Sequence, residues 1–180
     1  MQENGYPVRK QHRWKEYDYS TVAFYFITIV TQGRECLFGE IKNGQMQLNK
    51  AGEMIKNTYY KVVSKYETGD EHLVVVMPNH IHFIFHNSTQ TNVPTVIQIF
   101  KRLTTNRYLN GVRNENWHPF HQKLWQRNYY DHVIRNQRAY EYIADYIIHN
   151  PERWLKDKLN RLCDPEQTEN INERIKELET

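Results

Sequence analysis

The spacing of apolar positions changes several times between residues 21 and 149, and the changes divide the chain into elements. Thr21–Thr31, with VAFYFITIV at its centre, is β-branched and aromatic at odd and even positions alike, the pattern of a strand buried on both faces of a sheet. Ile41–Leu48 alternates around Asn43-Gly44, a pair that tolerates positive φ and marks a two-residue hairpin. Ala51, Met54, Ile55, Thr58, Tyr59, Val62 and Tyr66 then recur every three or four positions, which predicts a helix capped by Asn49. LVVVM (73–77), a Pro78-Asn79 turn and HIHFIF (80–85) read as a second hairpin. Residues 94–109 return to helical spacing, with Pro94 in the first turn and Val96, Ile99, Phe100 and Leu103 inward. Asn110–Lys123 reads as a polar loop and Leu124–Ile134 as a strand. Asn136 caps a last helix that buries Tyr140, Ile143, Ala144 and Ile147 and stops before Pro151. The order β, hairpin, α, ββ, α, β, α predicts an α+β protein, a mainly antiparallel sheet covered by helices.

Composition adds one domain and an uneven charge. The 180 residues, 39% hydrophobic and 13% aromatic, suffice for a single core. A net charge of +3 conceals a middle stretch, residues 98–138, with eight basic and two acidic side chains. Arg9, Lys10, Arg13 and Lys15 form a second basic cluster, and Glu166–Thr180 is predominantly acidic. Cations interleaved with Tyr and Trp suit a phosphate-backbone binder, the charges supplying affinity and the rings stacking on bases. The competing reading is a solvated surface over ordinary core aromatics. Cys36 and Cys163 stand far apart without CxxC spacing, which argues against a zinc site and for a reducing compartment. No N-terminal apolar segment and no apolar run of membrane-spanning length is present, so the expectation is a soluble cytoplasmic protein without a membrane partner. No GxxxxGK[ST] stretch provides for a nucleotide.

Within the second hairpin, His80 and His82 sit one residue apart. On a strand they share a face, while Ile81 and Phe83 point the other way. With nine histidines in 180 residues, chance alone yields roughly 0.4 such pairs, so the pair needs partners elsewhere. The last helix offers two. Tyr146 and Asn150 lie roughly 40° apart on one flank, one turn from each other. Asn150 has an amide oxygen able to complete a two-histidine, one-oxygen site for a hard divalent cation, and Tyr146 would hold a phenol beside it. The plainer alternatives are a half-buried tyrosine bonded to backbone and an asparagine that merely ends a helix before proline. Tyr129 and Tyr130, in the basic segment, are rival nucleophiles, although a strand position packed by Trp125 favours a structural role. His118 and His121 read as loop residues.

YDYSTVAFYFITIVTQGRECLFGEI (17–41), VVMPNHIHFI (75–84), IFKRLTTNRYL (99–109), WQRNYYDHVIRN (125–136) and YIIHNPERW (146–154) together resemble the single-tyrosine HUH transposases (His-hydrophobic-His), and among them the REP-associated tyrosine transposases. The combination of MPNHIH, WQRNYYDHVIRN and YIxxNP carries the resemblance over most of residues 9–155. Residues of about 1–20 read as a basic arm, and the acidic tail, 156–180, matches no motif of the family and is expected to be helical, of regulatory, dimerising or loosely attached character; the resemblance implies a ferredoxin-like or RRM-like fold for a domain of residues 1–155. It also implies His80, His82 and Asn150 as ligands of Mg²⁺ or Mn²⁺ and Tyr146 as nucleophile. The implied activity is cleavage and transfer of single-stranded DNA beside hairpins through a 5′-phosphotyrosine, by a monomer or homodimer. Arg9, Lys10, Arg13, Lys101, Arg102, Arg107, Arg127 and Arg135 are the expected DNA contacts. A relaxase or replication initiator shares the histidine pair but usually has a longer histidine cluster or a helicase. A non-catalytic binder of hairpin DNA or RNA on an RRM-like sheet is the alternative from another class.

Overall fold

A computed structural model describes residues 22–66, 73–87, 91–162 and 171–180. Its main sheet has four antiparallel strands in the order β4-β5-β1-β6, namely Val74–Met77, His80–His86, Phe24–Val30 and Tyr130–Ile134. A separate hairpin, β2 (Gly39–Lys42) and β3 (Gln45–Leu48), is inserted between β1 and the first helix. Asn43 (φ 51°) and Gly44 (φ 72°) turn it, the left-handed pair that matches strand twist.

The helices α1 (Lys50–Val62) and α2 (Val93–Asn114) are the crossovers, and α3 (Gln137–Ile148) and α4 (Ile171–Leu178) follow β6. Asn49 and Asn136 cap α1 and α3 as expected, each side chain accepting from the backbone N–H three residues on, at 2.9 Å. Strand alternation assigns the layers. Tyr25, Ile27, Ile29, Ile81, Phe83 and Phe85 pack with Ile55, Tyr59, Val96, Ile97 and Phe100 of α1 and α2. Phe26, Ile84 and Ile134 pack with Ile143, Tyr146 and Ile147 of α3 and Ile171 and Ile175 of α4. This is the ferredoxin-like α+β arrangement, with β1 and β5 central and covered on both sides.

Four local expectations change. Helix α2 continues to Asn114 instead of ending at Leu109, because Gly111 lets the Trp117 ring lie against it; a Cβ there would stand 2.2 Å from Trp117 Cδ2. Its inward residues include Ile97, Thr104 and Tyr108, while Ile99 and Leu103 are only half-buried. The strand expected from Leu124 begins at Tyr130. Before it, Trp125 turns into the core, donating Nε1–H to Thr104 Oγ1 at 2.8 Å, and Lys101 Nζ donates to the carbonyls of Gln126 and Arg127 at 2.6 and 3.0 Å. Only a bridge between Thr31 and Trp125 remains of the ladder. In α3 the buried residues are Ala139, Ile143, Tyr146 and Ile147, with Tyr140 and Ala144 half-buried, since the helix is rolled to bring Tyr146 edge-on to Phe26, 6.2 Å between ring centres.

Candidate active site

The pairing of β1 with β5 sets His82 opposite Thr28 and His80 opposite Val30. Both imidazoles therefore rise from the sheet on the α3 side, their ring centres 4.4 Å apart, and both are buried. Each has one nitrogen engaged: His80 Nδ1 lies 2.7 Å from Asn79 Oδ1, and His82 Nδ1 lies 2.7 Å from Thr28 Oγ1. The two Nε2 atoms have no hydrogen-bond partner.

Helix α3 brings Tyr146 and Asn150 to the same place. The Tyr146 ring centre is 5.4 Å from that of His82, and the side chain is 7% exposed. Asn150, fully buried, stands beside His80 with both amide atoms unsatisfied. A further residue arrives from beyond residue 155, where the sequence pattern had suggested a tail. Asp157 follows a short turn, Trp154–Lys156, and is buried with Oδ2 unpaired and 3.7 Å from His80 Nε2. His80, His82 and Asp157 each present a ligand atom within 4.8 Å of the other two.

Burial dominates the electrostatics. Removal from water pushes the His80 imidazole down to about 3, opposed in part by the neighbouring Asn150 side chain. His82 is held well below its ordinary 6.5 by burial first, then by His80 and Lys158, against the pull of Asp157. Both rings are therefore neutral at physiological pH, the state in which imidazole ligates metals. Unpaired polar atoms at this depth cost about 1–3 kcal/mol each, yet five of them, from His80, His82, Asn150 and Asp157, converge here. Two imidazole nitrogens, a carboxylate and an amide oxygen are donors suited to a divalent cation of the Mg²⁺ or Mn²⁺ class. Four of the five, all but the Asn150 NH₂, carry lone pairs that such an ion would satisfy.

The rival residues differ in where they lie. Tyr129 packs with the α1–α2 layer. Tyr130 shares the α3 face, opposite Thr28, but burial, Asp131 and Glu179 push its phenol up to about 12. His118 and His121 are exposed and outside the group of possible ligands among the described residues.

The expected DNA contacts divide. Lys101, Arg102 and Arg127 line an open groove of about 590 Å³ together with Lys123, Gln98, and Gln122, although Lys101 also braces the 126–127 backbone. Arg107 donates to Thr58 Oγ1 at 2.6 Å on the α1 side of α2. Arg135 stands 3.9 Å from Glu179, which also bonds His132 at 2.9 Å and so fastens the end of α4 to β6. Arg9, Lys10 and Arg13 fall outside the described residues. Among the described residues, no helix is long and apolar enough to cross a membrane.

Asp157 lies outside the ligand set expected from the sequence. Its signal is faint: from Arg153 to Arg161 it is the single acid among four cations.

Comparison with known proteins agrees with this architecture. A protein of Haemophilus influenzae described only as uncharacterized is 35% identical over 172 residues, covering 86% of this chain and 94% of that one. A solved REP-associated tyrosine transposase bound to a REP hairpin superposes with a TM-score of 0.56 at 20% identity, over 80% of this chain and 74% of that one; at that identity the likeness speaks for the fold. Residues 18–150 match the family described as Transposase IS200 like, a span that includes β1, the histidine pair, Tyr146 and Asn150, and the chain belongs to the IS200-like transposase family.

Proposed function

We propose that this transposase cuts and rejoins single-stranded DNA beside hairpins, with Tyr146 as nucleophile and with His80, His82, Asp157 and Asn150 holding a divalent cation. The observation that carries the reading is the convergence of unsatisfied buried donors from β5, α3 and the 157 segment within reach of one tyrosine. A cation bound there would supply positive charge to polarise the scissile phosphate and to offset charge on the leaving oxygen.

The chain's own groups have distinct tasks. Tyr146 Oη forms a bond to phosphorus as the bond from phosphorus to the 3′ oxygen breaks; the phenol gives up its proton and the 3′ oxygen gains one. The phosphotyrosine diester replaces one phosphodiester by another of comparable energy, so the free 3′ hydroxyl can later attack it and reseal or exchange strands without a nucleotide. Phe26 holds the Tyr146 ring edge-on, limiting where the phenol can point. The groove with Arg102, Lys123 and Arg127 tracks the backbone of the substrate. The REP hairpin bound by the structurally similar transposase supports a hairpin as the class of substrate here.

The test uses hairpin oligonucleotides with single-stranded flanks, labelled on either side of the cut, incubated with Mn²⁺. The label 3′ of the cut should migrate with the protein and the label 5′ of it should run as a shorter free strand. Upstream label on the protein would overturn the polarity, and cleavage in excess EDTA would overturn the cation.

A further inference from the structure

We infer that Asn79 is a positioning residue, one amide that fixes the tautomer of His80 and ties it to the segment presenting Asp157. Its consequence for metal affinity rests on the reading above; its geometry does not.

Asn79 is fully buried in the turn between β4 and β5. Its Nδ2 lies 2.9 Å from the carbonyl of Leu159 and 3.2 Å from that of Arg34. Carbonyl oxygens only accept, so the NH₂ must face them and Oδ1 must face His80. An amide oxygen also only accepts. The atom of His80 that meets it at 2.7 Å, Nδ1, must then carry the ring's single proton, and Nε2 is left as a bare lone pair directed at the cluster. Two backbone carbonyls thus determine, through one side chain, which nitrogen of His80 is available as a ligand.

The same amide reaches the other side of the site. Leu159, whose carbonyl it holds, donates its own N–H to Asp157 Oδ1 at 2.7 Å. Asp157 Oδ2 then faces the bare His80 Nε2 at 3.7 Å. Two acceptors set face to face in a buried pocket repel unless a cation or a proton lies between them. Asn79 creates that arrangement from both sides: it denies His80 the Nε2 proton that would bond the carboxylate and anchors the turn from which the carboxylate projects. Thr28 does not determine the tautomer of His82 in this way, because a hydroxyl both donates and accepts.

The test begins with metal-free full-length protein labelled with ¹⁵N-histidine. The His80 signals should show Nδ1 protonated and Nε2 bare; a proton on Nε2 would overturn the assignment without any variant. In Asn79→Ala the Nε2–H form should appear and Mn²⁺ affinity should fall by about 10–100-fold, whereas Asn79→Asp, which keeps an acceptor for Nδ1–H, should retain the tautomer while losing the bond to Leu159. Wild-type Mn²⁺ affinity in a folded Asn79→Ala would overturn the positioning role. If the wild type binds no Mn²⁺, the metal reading fails, and the His80 tautomer still decides the role of Asn79.

Discussion

The two faces of the central sheet are made by the same strands and present opposite kinds of side chain. On the α1–α2 side, Tyr25, Ile27, Ile29, Phe83 and Phe85 are completely buried among apolar neighbours. On the α3 side, the row that begins with Phe26 and Ile84 gives way within one strand repeat to Thr28, His82 and His80, whose ring nitrogens remain partly unsatisfied. Strand β5 alone contains both programmes, its odd positions apolar and its even positions polar at one end. The apolar core and the candidate site are therefore separated by the side-chain alternation of a strand, and a register slip of one residue would exchange them.

Substitutions on the two faces should separate these roles. The largest effect falls on activity: His80→Ala or His82→Ala should abolish DNA cleavage yet leave hairpin binding within about twofold, since affinity comes mainly from cations contacting phosphates; paired cleavage and gel-shift assays check both. On the opposite face, Phe83→Ala should cost about 3–5 kcal/mol, read from denaturant unfolding, and reduce activity only in proportion to the protein unfolded. Equal destabilisation by His82→Ala and Phe83→Ala would erase the distinction.

Acid sharpens the comparison. Below pH 6.5 an unfolded imidazole takes up a proton that the folded His80 refuses until about pH 3. The unfolded state then binds more protons, so metal-free stability falls as pH drops through that window, by about 1.4 kcal/mol per pH unit for this group. His82 acts in the same direction. Unfolding free energies between pH 4.5 and 7 should show a shallower slope in His80→Ala; an unchanged slope would contradict the burial argument. A smaller effect is expected at Gly111→Ala, where displacing Trp117 should cost about 1–3 kcal/mol without altering cleavage by the folded fraction. The smallest concerns Asp157→Asn: metal-free stability should stay level or rise, as an amide can donate toward His80 Nε2, while Mn²⁺ affinity measured by calorimetry falls.

What could be read from the sequence was local in origin. Asn49 and Asn136 signal their helices because a cap is a contact across three residues, Asn43-Gly44 signals its turn through backbone sterics, and the His80–His82 pair is displayed by strand alternation. The meeting of β5 with α3 was legible only through the joint occurrence of MPNHIH and YIxxNP, since no periodicity says which helix covers which strand. Asp157 escaped because its partner, His80, is distant in sequence and its neighbours Lys156 and Lys158 suggest a solvated surface. The extra turns of α2 and the late start of β6 also depend on tertiary contacts, Trp117 on Gly111 and Trp125 on Thr104.

The central claim is that the even-numbered face of β5 and one flank of α3 form a cleavage site with Tyr146 at its focus. Its most direct test is to trap the protein on a single-stranded hairpin substrate with Mn²⁺, digest the adduct and locate the modified peptide by mass spectrometry. The expected result is a nucleotide-bearing Tyr146 and no adduct in Tyr146→Phe, with Tyr129→Phe, Tyr130→Phe and Tyr142→Phe still forming it. A nucleotide on any other tyrosine, or full adduct formation by Tyr146→Phe, would contradict it.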